Sequence, residues 1–128
     1  LDTAEAPRQL DMLREMGLLY CEEPLPIELF HERTALCRGG HLAIIGDDSC
    51  FTPQELQREL ALDTFVVLNI KTPRTGYTDS AAMAAMDTAA GKGIIVGSQA
   101  SAGLGAAQSA LFAARPERAH PAEVSLFL

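Results

Sequence analysis

The sequence predicts an α/β fold, in which parallel strands alternate with helices, laid out as about half of a (β/α)8 barrel. Three observations predict it: short apolar runs recur along the chain, each follows a helix-like segment, and polar residues end the runs at nearly constant intervals. Continuous apolar runs are typical of parallel strands that are buried on both faces and joined by helical crossovers. The chain has 128 residues, about half of the roughly 250 that eight βα units occupy.

Start and stop signals define the predicted helices. In APRQLDMLREMG, Ala6, Leu10 and Leu13 fall on one helical face, and a glycine follows at the expected end. In TPQE, Thr52 is placed as an N-cap and Glu55 as its reciprocal partner in a capping box, with proline at the first helical position. Two alanine-rich segments, DSAAMAAMDTAAGKG and SAGLGAAQSALFAARP, carry glycine or proline stop signals and predict two further helices.

Five apolar runs are the predicted strands. They are LLY at 18–20, LAII at 42–45, TFVVLNI at 64–70, IIV at 94–96 and the weaker RAHPA at 118–122. The polar residues at their ends, spaced by 25, 24, 27 and 25 residues, are Glu22, Asp47, Lys71, Ser98 and Glu123. Because the carboxyl ends of parallel strands meet at one edge of a sheet, we expect these side chains to gather there. No linker-like segment divides the chain, so we expect one domain.

Composition excludes several classes of function. The net charge of −7 argues against nucleic acid or an anionic membrane as a partner, because both select a basic face. No apolar run approaches the length of a membrane span and no basic-then-apolar leader opens the chain, so we expect a cytoplasmic protein. Its three cysteines, Cys21, Cys37 and Cys50, lack CxxC spacing. An odd number without that spacing favours reduced, buried thiols.

The strand-end residues suit metal and proton chemistry. Carboxylates on adjacent strands, Glu22 and Asp47, form a hard-oxygen pair for Mg2+ or Mn2+, with a third oxygen ligand expected from another strand. A metal facing Lys71 favours its neutral amine, which can act as a base. Singly, such an acid is also a common helix cap, and a lysine is commonly solvated. Because ionisable residues recur at the same position of each βα unit, the end of the strand, the pattern favours a shared site.

The three histidines have simpler interpretations. His31 lies on a predicted helix and His41 opens a strand at the bottom of the barrel, so both are expected to be structural. His120 lies in the last predicted strand near Glu123 and is a candidate for lining the site.

Five segments together resemble a known family. They are YCEEPLP, GDDSCFTPQEL, VVLNIKTPRTGYTDS, GSQASAGLGAA and HPAEVSLFL. In order, spacing and wording they resemble the second half of the barrel of the enolase superfamily, and within it the mandelate racemase-like and muconate lactonizing (muconate cycloisomerase) group. The resemblance implies that residues 1–128 are strands 4 to 8 of a (β/α)8 TIM barrel domain. It also implies that the first barrel strands and an N-terminal capping domain lie outside this sequence.

The resemblance assigns roles to individual residues. The residues that match the family's motifs are Glu22 and Asp47 as metal ligands, Lys71 as the acid/base lysine, Glu123 near the substrate carboxylate, Asp48 and Asn69 beside the metal and the lysine, and Ser98 and Gln99 facing substrate. Two departures stand out. Asp48 stands where the family commonly has glutamate. In the segment KTPRTG, Arg74 stands in place of a second lysine, and this segment resembles those of muconate cycloisomerases more than those of dipeptide epimerases.

The implied activity is a metal-dependent isomerisation with Mg2+ or Mn2+. A proton is removed from or delivered to the carbon alpha to a metal-bound carboxylate through an enolate intermediate, as in the interconversion of cis,cis-muconate and muconolactone. A dipeptide epimerase, an amino-acid racemase or an o-succinylbenzoate synthase-like enzyme remains open. The family's third metal ligand and its KxK lysine pair lie outside this sequence, so this part alone is expected to be inactive. The full-length protein is expected to bind a small carboxylate substrate and to form a homo-oligomer.

Two alternatives belong to other classes. A receiver-like α/β binding module also groups acids and a lysine around Mg2+, but its acidic pair follows the first strand, whereas here the first strand ends in CEEP and the lysine follows the third. A catalytically inactive half-barrel would serve as an association partner, because open sheet edges favour pairing with another chain.

Overall fold

Helices and parallel strands alternate along the chain in the computed structural model, which describes residues 1–99, 102–116 and 120–123. The helices are α1 (Ala6–Glu15), α2 (Phe30–Arg38), α3 (Pro53–Leu62), α4 (Thr72–Ala89) and α5 (Leu104–Ala113). The strands are β1 (Tyr20–Glu22), β2 (Ala43–Gly46), β3 (Val67–Ile70) and β4 (Gly93–Val96), and a short 3-10 turn covers Asp48–Cys50. The predicted α/β class is confirmed.

The sheet keeps the order of the sequence. Its strands lie in the order β1-β2-β3-β4, and all three neighbouring pairs are parallel. Segment 120–123 runs beside β4 without forming a strand: the His120 N–H donates to the Ile94 carbonyl at 3.3 Å and the Glu123 N–H to the Val96 carbonyl at 2.9 Å. Residues 118 and 119 of the predicted fifth strand, RAHPA, lie outside the described residues, and residues 120–122 form no strand, so that strand is not confirmed.

The two faces of the sheet carry different side chains. One face packs against the helices through a large apolar cluster that includes Leu68 and Ile70, both at most 1 % exposed. The other face carries a small cluster of Ile45, Val67 and Ile95. Because side chains alternate along a strand, this second face, called here the inner face, also receives the residues two positions further along each strand.

Local signals locate the helices well and β1 less well. Thr52 Oγ1 accepts from the Glu55 N–H at 3.2 Å, and the Glu55 carboxylate accepts from the Thr52 N–H at 2.9 Å, so the predicted capping box is present. The first strand differs from the predicted run LLY: β1 begins at Tyr20, and Leu18 and Leu19 are 43 % and 71 % exposed. Helix α4 begins earlier than its alanine-rich segment, with a break at Gly76, where φ is 76°.

The three cysteines are free thiols. Cys50 is buried, and desolvation raises its pKa to about 12, so it stays protonated and unreactive at neutral pH. Among the helices of the described ranges, none combines the length and apolar character needed to cross a membrane.

Candidate active site

Four of the predicted site residues meet at the carboxyl ends of the first three strands. Glu22 ends β1, Asp47 follows β2, and Asn69 and Lys71 lie at the end of β3. The Asn69 side-chain amide donates to Glu22 Oε2 at 3.1 Å across the intervening strand. This contact is possible because both side chains point to the inner face.

The Asp47 carboxylate is the centre of this group. Asp47 is 2 % exposed, and the Lys71 ammonium donates a hydrogen bond to its Oδ2. The Arg74 guanidinium lies 2.8 Å from its Oδ1 and donates to its backbone carbonyl at 3.1 Å. The Arg74–Oδ1 contact is ionic without hydrogen-bond geometry, so Oδ1 is a buried acceptor without a hydrogen-bond partner. Two basic side chains therefore contact Asp47, while its Oδ1 retains acceptor capacity.

Burial and the charge of Asp47 both affect the pKa of Glu22. Desolvation raises the pKa of Glu22, and the adjacent negative charge of Asp47 raises it further, whereas the hydrogen bond from Asn69 and the charge of Lys71 act in the opposite direction. Two carboxylates that repel each other in this way are stabilised by a cation between them. The pair is thus suited electrostatically to a positive ligand.

The donor set fits a hard divalent cation in part. Carboxylate and amide oxygens are the ligands that Mg2+ uses in proteins, and the Asn69 Oδ1 is a second buried acceptor without a hydrogen-bond partner. Gly97 leaves room for that amide, because a Cβ at this position would clash with Asn69 Oδ1. In the described part of the chain, no group of three or more His, Cys, Asp or Glu side chains forms a metal site. Glu22 and Asp47 therefore fit a metal only together with a further ligand.

Glu23 is a site residue that the sequence interpretation left out. Its Oε1 accepts from the backbone N–H groups of Asp47 and Ser49 at 2.9 and 2.8 Å, and its Oε2 accepts from that of Asp48 at 3.1 Å. The second acid of EEP was the available signal, but its partners lie 24 to 26 residues away. Periodicity does not show such a contact.

Asp48 lies on the outer side of the same turn. Its side chain is 68 % exposed, and its Oδ1 accepts from Arg74 Nη1 at 3.0 Å. The Arg74 guanidinium is itself only 4 % exposed and stacks over the Phe51 ring at 4.1 Å from the ring centroid. Arg74 thus contacts both acids of the DDS motif, in addition to the Asp47 carbonyl.

The other three predicted residues lie at the same end of the sheet. Ser98 and Gln99 follow β4, and Glu123 lies on the segment beside β4, where its N–H bonds to the end of that strand. They lie at the carboxyl end of β4, as Lys71 lies at that of β3, and Glu123 is an exposed residue.

The histidines lie away from this group. The His120 ring bonds to the Tyr20 hydroxyl at 2.6 Å and lies against Gly93. Tyr20 and Gly93 begin β1 and β4, so His120 is at the amino-terminal end of the strands and the interpretation that it lines the site is wrong. His41 pairs with Asp11 at 2.9 Å, also far from the strand ends, as expected for a structural residue.

The chain matches one protein family by sequence and many solved structures by fold. The family described as enolase C-terminal domain-like matches residues 1–127. The curated proteins contain no match. A mandelate racemase/muconate lactonizing protein from Herpetosiphon aurantiacus has a TM-score of 0.86 and 24 % identity over 96 % of this chain and 36 % of its own. A member of the enolase superfamily of unknown role, from Enterococcus faecalis V583, has a TM-score of 0.86 and 26 % identity over 98 % of this chain and 34 % of its own.

A third similar structure was solved with ligands. The dipeptide epimerase from Cytophaga hutchinsonii, complexed with Mg and the dipeptide D-Ala-L-Val, has a TM-score of 0.87 and 19 % identity over 97 % of this chain and 34 % of its own. This chain spans about a third of the length of the solved structures it matches. At these identities, the likeness to the Herpetosiphon and Cytophaga proteins establishes a shared fold.

Proposed function

The chain belongs to the enolase C-terminal domain-like family, and from this premise we propose that it provides metal-binding and acid/base residues of an isomerase that moves a proton next to a carboxylate. In this proposal β1 to β4 and segment 120–123 are strands 4 to 8 of a (β/α)8 barrel domain. The remaining strands and a capping domain belong to the rest of the protein, as do the third metal ligand and a second lysine.

One observation carries the proposal. A nearly buried carboxylate, Asp47, is bonded to the ammonium of Lys71 and lies beside the carboxylate of Glu22 on the inner face. Acids for a cation and a lysine for a proton are thus adjacent at the carboxyl ends of parallel strands, where this architecture places its chemistry.

Glu22 and Asp47 are the residues that would hold a divalent metal, Mg2+ or Mn2+. When bound, the metal supplies positive charge that stabilises negative charge developing on a substrate carboxylate. Lys71 moves the proton at the carbon alpha to that carboxylate. In the structure its side-chain nitrogen contacts Asp47, so the group that moves the proton lies beside the metal-binding carboxylate. Ser98, Gln99 and Glu123 face substrate, Asn69 orients Glu22 through its amide, and Asp48 acts through Arg74.

A cycloisomerase of the muconate lactonizing type is the specific reaction we propose. The support is the KTPRTG wording, in which Arg74 stands where a second lysine is common, together with the likeness to the Herpetosiphon protein. Dipeptide epimerisation is the second candidate, favoured by the similar fold of the Cytophaga enzyme. The two differ in the bond changed: lactone formation loses the absorbance of the conjugated diene, whereas epimerisation exchanges the alpha hydrogen with solvent.

The test is made on the full-length protein with Mg2+. Titration calorimetry is expected to show that Asp47→Asn abolishes Mg2+ binding, whereas Asp48→Asn, a matched change at the exposed acid, retains it. Assays with cis,cis-muconate, muconolactone and dipeptides in D2O then identify the reaction. Retention of wild-type Mg2+ affinity by Asp47→Asn would sink the metal assignment, and an absence of turnover on every carboxylate tried would count against the isomerase proposal.

A further inference from the structure

Glu23 connects the end of β1 to the turn that carries Asp47. Its own N–H donates to the Ile45 carbonyl of β2 at 3.1 Å, and its carboxylate accepts from the three successive backbone N–H groups of residues 47–49. One residue thus binds both the last part of β2 and the turn that follows it.

The backbone of Glu23 shows that this position is held by its surroundings. Its φ is 35°, in the left-handed region that non-glycine residues seldom adopt. Such a conformation persists where several contacts determine it together, and it is concentrated at functional sites. Here it directs the Glu23 carboxylate to the turn while the preceding residue, Glu22, points to the inner face.

A buried ionic network supports Glu23 from behind. Arg33, whose side chain is 4 % exposed, lies 3.8 Å from Glu23 Oε1 and donates to the Ser49 hydroxyl at 3.0 Å. Arg33 also pairs at 2.9 Å with Glu59, which is fully buried and accepts from the Thr64 hydroxyl at 2.6 Å. A buried, fully bonded network of this kind favours a single arrangement of its members.

We propose that Glu23 is a positioning residue for Asp47, acting through the backbone of residues 47–49. By accepting three amides with one carboxylate it fixes the direction in which the Asp47 side chain leaves the turn, toward Lys71 and Glu22. What Asp47 binds rests on the function proposed above, but the geometry of the turn does not. A merely stabilising role for Glu23 would lower the unfolding midpoint and leave the affinity of Asp47 for a cation unchanged.

Amide hydrogen exchange measures the turn directly. In Glu23→Gln one oxygen becomes an NH2 group, which cannot accept from an amide, and in Glu23→Ala both oxygens and all three hydrogen bonds are lost. We expect the N–H groups of residues 47–49 to exchange at least tenfold faster in Glu23→Gln, and faster still in Glu23→Ala, while those of β4 keep their protection. Glu28→Gln, a matched change at an exposed glutamate, is the control. Unchanged exchange at residues 47–49 in Glu23→Gln overturns the proposal.

Mg2+ titration of the full-length protein supplies the second readout. We expect the dissociation constant to rise at least tenfold in Glu23→Gln and to stay within twofold of wild type in Glu28→Gln. Faster amide exchange with an unchanged Mg2+ dissociation constant would show that the turn does not position Asp47 and would refute the proposal. If the wild-type protein binds no Mg2+, the proposed function fails, and the exchange rates alone decide whether Glu23 holds the turn. If Glu23→Ala does not fold, Glu23→Gln decides both measurements.

Discussion

A buried carboxyl on α4 makes the stability of this domain depend on pH. Asp87 is fully buried, and neither of its carboxyl oxygens has a hydrogen-bond partner among the described residues. Burial raises its pKa from 3.8 to about 7, and the nearby positive charge of Lys92 opposes only part of that shift. Asp87 is therefore protonated in the folded domain under mildly acidic conditions and ionised in the unfolded chain.

The sign and size of the effect follow from linkage. The folded pKa lies above the unfolded value, so the native state binds the proton more tightly and is most stable below about pH 4 with respect to this group. Stability is lost as the pH rises through about 7. A difference of about three pKa units at 1.36 kcal/mol each corresponds to about 4 kcal/mol above pH 7. This is a large share of the roughly 5–15 kcal/mol that stabilises a typical domain.

Asp87→Asn removes the titration with little change of shape. Between pH 4 and pH 8, urea unfolding is expected to show that the free energy of unfolding of the wild type falls by about 4 kcal/mol relative to that of Asp87→Asn. Entry of water into the site would reduce this difference to no less than about 2 kcal/mol. Other groups titrate alike in both proteins, so the difference reports Asp87. Asp79→Asn, an exposed position on the same helix, should run parallel to wild type. Parallel profiles for Asp87→Asn and wild type would refute the reasoning.

Three further changes test the site and the fold. Lys71→Met in the full-length protein is expected to lower turnover about 100- to 10,000-fold, the contribution typical of a general acid or base. Its Mg2+ dissociation constant should not rise, because the change removes a positive charge beside Asp47. An activity within threefold of wild type would exclude Lys71 as the acid/base. Gly97→Ala is expected to displace the Asn69 amide, because the new Cβ would clash with its Oδ1, and to weaken Mg2+ binding; an unchanged Asn69 side-chain NMR signal would contradict this. Thr52→Ala removes the acceptor at the start of α3 and is expected to cost about 1 kcal/mol in urea unfolding, which Thr52→Ser should restore.

Features set by neighbouring residues are the ones that the sequence predicts well. The capping box at Thr52 and the helical face of Ala6 and Leu10 depend on residues within one or two turns, so their pattern is visible in the chain. The strand ends at Asp47 and Lys71 are visible for a related reason, since a repeating βα unit places each strand end at nearly the same interval.

Contacts between distant segments are the features that the sequence predicts poorly. Arg74 meets Asp47 across 27 residues, and its identity alone indicates a solvated cation. The apolar Leu19 predicts a buried strand position but is exposed, since much of any folded surface is apolar. The sequence makes His120 a candidate for lining the site only because it is near Glu123, and the backbone hydrogen bonds that set segment 120–123 against β4 are not visible in any side-chain pattern.

The sequential strand order has a consequence for the synthesis of the protein. A chain that emerges from the ribosome amino terminus first can add each strand beside the one already in place, without waiting for a later segment to be inserted between them. The Glu23 carboxylate can reach its amide partners, 24 to 26 residues further on, once β2 and its turn have emerged. The hydrogen bond from Asn69 to Glu22 can form only later, because Asn69 lies 47 residues after Glu22 in the chain. We therefore expect the turn at residues 47–49 to form on the nascent chain before the Asp47 side chain contacts its partner at the end of β3.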